Sequence, residues 1–221
     1  MVLDLDLAII RLTRSTDNVL VRDTMRSKFH YTFIALAICF GFGPFGAALA
    51  QDDAAARVGL FDRHCYSRLP DLAGLEAHAT ENKWVALTGS KLDAFRPAVE
   101  PKVFKAWTFA EASNTYTVTV TASDMDEKSK SDFPNFADAT NYACSLLLPG
   151  DKIKSPEIGI AMEKLIERKA DETYDEGPWK VSAWSGQTDE LLVLIYHYAP
   201  KSGAAGGLLS MTLFQKPATQ P

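Results

Sequence analysis

The chain has 221 residues, with 23 Lys and Arg against 28 Asp and Glu, a net charge of −5, and 47% hydrophobic residues. No run of Lys or Arg exceeds a pair, apart from the mixed stretch "EKSKSD" (127–132). That balance argues against a nucleic-acid partner, which needs a basic face to neutralise phosphates, and against anionic membrane surfaces.

The first 24 residues, "MVLDLDLAIIRLTRSTDNVLVRDT", carry Asp4, Asp6, Asp17 and Asp23, acids that do not suit the approach to an apolar export signal. From Met25 the pattern changes. Arg26 and Lys28 form a short basic start, Tyr31 to Ala50 is free of charge, and the run closes on Ala48-Leu49-Ala50 before Gln51-Asp52-Asp53. Basic start, apolar core and small residues at −3 and −1 are the layout of a secretory signal peptide, with cleavage expected between Ala50 and Gln51. The expected organisation is therefore a mis-annotated extension over 1–24, a signal over 25–50 and a single domain over 51–221. An uncleaved anchor is the alternative, since about 20 uncharged residues suffice to span a bilayer. Gly41, Gly43, Pro44 and Gly46 weigh against it, because they break a helix where a peptidase needs extended chain. A lipoprotein signal at Cys39 is disfavoured by the bulky Ile38 before it.

The 171 residues after Ala50 retain 18 basic and 24 acidic side chains, a net of −6, and are enough for one domain with a core of its own. They keep two cysteines, Cys65 and Cys144, for which export predicts one disulfide closing a loop of about 80 residues. His64 beside Cys65 invites a metal reading, but there is no C-x-x-C and no second Cys/His cluster. A short helix is expected over 52–64 and a firmer one from Pro70 to about Asn82, with Leu72, Leu75 and Ala79 at helical spacing and His78 on its surface. "WVALT" (84–88) comes next, followed by a looser stretch to Pro101. Residues 103–123 read as a β-hairpin turning at "EASN", with Tyr116, Val118 and Val120 alternating against a threonine face. "SDMDEKSKSDF" reads as a charged loop; its Asp124-x-Asp126 start lacks the third ligand and the glycine of a calcium loop. A strand over 142–150 carries Cys144, Leu146 and Leu148 on one face.

A helix from Pro156 to about Lys169, capped by Ser155, and strands over 179–184, 191–200 and 207–216 complete the chain. The 191–200 strand is apolar on both faces and belongs inside the sheet. Helix, three strands, helix, three strands suggests an α-βββ unit used twice, with "KAWTF" facing "VSAWS" and "CSLLLPG" facing "MTLFQKP" as sequence traces. The fold class is α+β, an antiparallel sheet with helices on one face.

Chemical signatures are sparse. There is no G-x-S-x-G elbow, no H-E-x-x-H, and "SGAAGG" lacks the Lys-Ser pair of a phosphate loop. No catalytic residue, metal or cofactor follows from the sequence. His197 reads as a half-buried histidine bonded to a loop. The acid pairs Asp175/Glu176 and Asp189/Glu190 lie beside expected turns. Aromatic residues remain. Trp179 and Trp184 are five apart on one strand and point to opposite faces. Trp107, Trp184, Tyr196 and Tyr198 are the candidate contact aromatics on the open face of the sheet.

The stretch "FDRHCYSRLPDLAGLEAHATENKW", with "ACSLL" much later, resembles small exported bacterial proteins of no assigned activity: a cysteine before a helix, a tryptophan after it, and a second cysteine on a later strand. The resemblance implies export and a disulfide and brings no catalytic residue. The functional expectation is a periplasmic or secreted, non-enzymatic envelope protein that binds a protein or small ligand through its sheet. The alternatives are a hydrolase whose site is scattered in sequence, and a membrane-tethered form of the same binder.

Overall fold

A computed structural model describes residues 45–150 and 155–217, with side chains from Asp53 onward. The expected extension over 1–24 and nearly all of the expected signal lie outside the described residues. Eight antiparallel strands form one sheet: β1 (Val85–Ala86), β2 (Val103–Glu111), β3 (Asn114–Asp124), β4 (Thr140–Leu148), β5 (Glu172–Glu176), β6 (Trp179–Gln187), β7 (Leu191–Pro200) and β8 (Gly207–Gln215). Their spatial order is β1-β2-β3-β4-β8-β7-β6-β5. Each half of the sheet is a four-strand meander preceded by a helix, and the halves meet at β4 and β8. The repeated unit is thus α-ββββ. The sequence reading counts three strands per unit because it assigns neither the two-residue β1 nor the charged β5 as a strand. The edges carry the weakest apolar pattern: β1 has two residues, and β5 reads Glu-Thr-Tyr-Asp-Glu, a charged sequence that blunts an open edge.

Helix α1 (Phe45–Phe61) is longer than the expected 52–64 helix and runs across Ala50 and Gln51. It passes into a π-helical turn, Asp62–Tyr66, where the Ser67 N–H reaches back to the Asp62 carbonyl at 2.9 Å. The wider turn aims two successive side chains, His64 and Cys65, into the core. Helix α2 (Leu72–Glu81) is capped by Asp71, whose carboxylate accepts from the Gly74 N–H at 2.8 Å. Pro70 therefore stands before the cap, not at the first helical position. Helix α3 is one turn, Ser90–Asp93. The expected loop after β3 contains α4 (Glu127–Asp132), because the Asp126 side chain accepts from the Ser129 N–H at 2.6 Å and starts a turn. Helix α5 is Ser155–Ile166; Ser155 lies inside it, buried, and its hydroxyl donates to the Gly206 carbonyl at 2.8 Å.

The helices do not all lie on one side. Ala54, Val58 and Phe61 of α1, Leu75 and Ala79 of α2, and Ile158, Ala161 and Met162 of α5 pack with Val118, Val120, Leu146, Leu209 and Met211 on one sheet face. On the other face, Met125, Phe133 and Phe136, around α4 and the 3-10 turn Pro134–Phe136, pack on Leu192 and Phe214. The long helices can seal their face because each presents an apolar stripe several turns long. A six-residue helix covers only a corner.

The cysteines meet as expected: Cys65 and Cys144 form a disulfide, with Cα atoms 5.4 Å apart and 79 residues between them in sequence. Both are fully buried and tie the π turn to the middle of the sheet.

Candidate binding groove

Strand alternation gives the sheet two chemically different faces. On the face away from the long helices, successive rows run across the strands. One row is Tyr174, Val181, Tyr198, Leu208, Leu147 and Thr117; the next is Glu172, Ala183, Tyr196, Ser210, Ser145 and Thr119; a third is Ser185, Leu194, Thr212, Ala143 and Thr121. All of these except Glu172, Val181, Ala183 and Ser185 line a groove of about 260 Å³. Phe95, Pro97 and Phe104 wall one side and α4 with Phe133 closes another.

The floor is polar without being charged. The Ser145 and Ser210 hydroxyls are 2.8 Å apart across the central β4–β8 pair. The Asn141 side-chain oxygen is buried at the groove with no hydrogen-bond partner. A buried acceptor without a donor costs about 1–3 kcal/mol, and a water or a ligand group in the groove would offset that cost.

The end of the groove on β5–β7 is aromatic and acidic. Tyr196 and Tyr198 have ring centroids 5.9 Å apart. Burial, with Glu176 and Glu172 nearby, pushes the Tyr174 phenol up to about 12. The same burial, with the surrounding phenols and carboxylates, also raises Tyr196 and Tyr198, so all three rings are neutral phenols. Burial alone raises the Glu176 carboxyl. Of the two other charged groove residues, Asp126 is committed to capping α4, and Lys128 stands on that helix.

The four candidate aromatics divide between the faces. Tyr196 and Tyr198 line the groove. Trp107 and Trp184 do not: both face the long helices, and Trp184 is 2% exposed, its indole N–H donating to the Arg168 carbonyl at 3.3 Å. Even-numbered residues of β6 turn toward the helices, so Trp179 is the tryptophan of that strand on the groove side, opposite Glu176. The cleavage pair Ala50 and Gln51 lies in α1, in the part whose side chains are outside the described residues. Sequence reading missed Asn141, Tyr174 and the Thr117–Thr119–Thr121 stripe as groove residues. The threonine alternation was visible, but nothing local tells a solvent-facing stripe from a binding floor.

The histidines sit on the other side of the sheet. His197 is fully buried, not half-buried. Its Nε2 has no partner, its ring lies against Gly159 of α5, and burial lowers its pKa to about 4. His78 is half-buried and bonded, not a free surface residue. Its Nδ1 accepts from Arg68 at 3.2 Å and Asn82 at 3.1 Å, so its Nε2–H donates to His64 Nδ1 at 3.2 Å. Burial, then His78, Arg63 and Arg68, lower the His64 pKa to about 4. Trp84 and Phe109 pack around the pair, with His64–Trp84 centroids 4.8 Å apart. The facing nitrogens are consumed by their own hydrogen bond. Among the described residues, no group of three or more His, Cys, Asp or Glu is placed to hold a metal ion. No histidine or cysteine lines this groove. A second cleft, about 610 Å³, opens on the helix side near Leu69 and Trp184, and its lining includes none of the unpartnered buried atoms.

Comparison with known proteins returned no matching family model, no matching curated sequence and no matching solved structure. The site therefore has to be read from its own chemistry. Among the described residues, no helix is long and apolar enough to cross a membrane.

Proposed function

We propose that the protein is an exported, non-enzymatic binding protein of the cell envelope or its exterior, and that it takes a small polar ligand in the groove on the open sheet face. The observation that carries the reading is the groove lining, where the Asn141 oxygen is buried without a donor one row from Thr121 and Thr212, and the rows beyond carry the hydroxyls of Thr119, Ser145 and Ser210. Hydroxyls both donate and accept, so such a floor suits a ligand with several hydrogen-bonding groups. Export is supported by the sealed Cys65–Cys144 bond, since disulfides persist where the medium oxidises thiols.

The test is an amide chemical-shift screen of the exported chain against small polar compounds. Shifts clustered on Thr119, Asn141, Ser210 and Tyr196 support the reading. Shifts confined to the helix face, or none across a broad panel, overturn it. Export has its own measurement: a mature mass beginning at Gln51 supports it, and a chain that keeps its apolar N-terminal segment favours the tethered form.

A further inference from the structure

The acidic, aromatic end of the groove differs from its hydroxylated floor, and its geometry is specific. Tyr174 on β5 and Tyr198 on β7 stand in one row, with the shorter Val181 of β6 between them. Tyr196 stands in the next row beside Ala183, a smaller residue still. Val181 is fully buried beneath them, and Tyr174, Tyr196 and Tyr198 themselves line the groove. With the Tyr196 and Tyr198 centroids 5.9 Å apart, one cation in the groove can lie within the ~6 Å reach of both rings.

Two carboxylates share this face of β5, Glu172 and Glu176, on either side of Tyr174. Glu176 is half-buried, lines the groove, and has no basic side chain among the influences on its titration. The acid next to it, Asp175, points to the opposite side of the strand and is paired with Lys201 at 3.0 Å. Tyr198 is 7% exposed, lines the groove, and has no hydrogen bond to its hydroxyl among the described residues. The one basic residue of the lining, Lys128, belongs to α4, which packs by the Leu192–Phe214 corner, two rows beyond Tyr196.

We infer that this end of the groove is a site for an organic ammonium group, held against Tyr174, Tyr196 and Tyr198 and balanced by Glu176, with Glu172 adding to the local negative field. Aromatic walls satisfy a cation that has no hydrogen to donate, such as a quaternary ammonium. The carboxylates favour the charge without demanding one fixed geometry. The inference rests on the groove reading above and adds the charge and type of the ligand.

The probes are choline, tetramethylammonium and 3,3-dimethyl-1-butanol, the uncharged carbon isostere of choline, titrated into the exported chain by calorimetry with amide shifts as a second readout. Choline is expected to bind about tenfold more tightly than its isostere. Tyr196→Leu should weaken choline by about tenfold while Tyr196→Phe retains it, and Glu176→Gln should weaken it by roughly fivefold, more so at low salt. Tyr196 and Glu176 are chosen because they are only half-buried, so the variants should fold, and their amide spectra verify this. Equal affinity for choline and its isostere, or unchanged choline affinity in Tyr196→Leu, overturns the inference. If neutral polar compounds shift the groove amides and no ammonium compound does, this inference falls and the groove reading stands. If no compound of either kind shifts the groove, both fall.

Discussion

The two faces of this sheet are built from the same strands and obey different rules. On the helix side, side chains from three helices and six strands interlock around the disulfide, and even the polar groups there are drawn in: His197 under Gly159, and His64 joined to His78. On the groove side, the same strands present threonine, serine and tyrosine to a cavity, and an amide oxygen is left waiting for a donor. Under the binding reading proposed above, the contrast separates residues kept for folding from residues kept for contact. Substitutions on the first face should register in stability, and substitutions on the second in binding.

The largest effect is expected at the disulfide. Replacing both Cys65 and Cys144 with Ala should lower stability by roughly 4–5 kcal/mol, the chain-entropy value for a loop of this length, measured by urea unfolding. Trp184→Ala should cost about 4 kcal/mol, because it removes a large, fully buried side chain with a bonded indole N–H. A loss below 1 kcal/mol for Trp184→Ala would mean that the helix face is not the sealed core described here.

Acid should attack the same face. The pKa values of His197 and His64 are held near 4 in the folded state, against 6.5 unfolded. The unfolded chain therefore takes up protons first as pH falls. Stability from the neutral rings is fully present above about pH 6.5, is lost between 6.5 and 4, and levels off for these groups below that. For His197 the loss is of the order of 3 kcal/mol, and His197→Leu should remove that part of the pH slope between 6.5 and 4. A slope unchanged in the variant would show that another group is responsible.

The smallest stability effect belongs to the groove. Thr119→Val keeps the shape and deletes a hydroxyl facing the cavity, so unfolding should move by less than about 0.5 kcal/mol while ligand-induced shifts at Ser210 and Asn141 weaken. If Thr119→Val destabilised the protein as much as a core substitution, the functional division between the faces would collapse.

Much of the fold was legible locally. The alternation of Tyr116, Val118 and Val120 marks β3, the spacing of Ile158, Met162 and Leu165 marks α5, and both signals arise from one buried face repeating at the period of the backbone. Weak elements were lost. β5 has one aromatic among charges, and α4 depends on a single Asp126 cap inside a charged run. The aromatics show the same limit. Sequence separated Trp179 from Trp184 by strand parity, but it did not say which parity faces the helices, and Trp184 is the buried one.

The sequence by itself determined the α+β class, the pairing of two cysteines, and the strands and helices whose periodicity is strong. These follow from backbone geometry and from which side chains avoid water. Only the tertiary structure decided that β4 and β8 join two four-stranded halves, that two histidines from separate elements share a hydrogen bond, and that Tyr174, Tyr196, Tyr198 and Glu176 gather at one end of a groove. Those placements depend on which strands become neighbours. Neighbours far apart in the chain leave no periodic mark in a single sequence, because the energy that selects them is spread over the whole packed sheet.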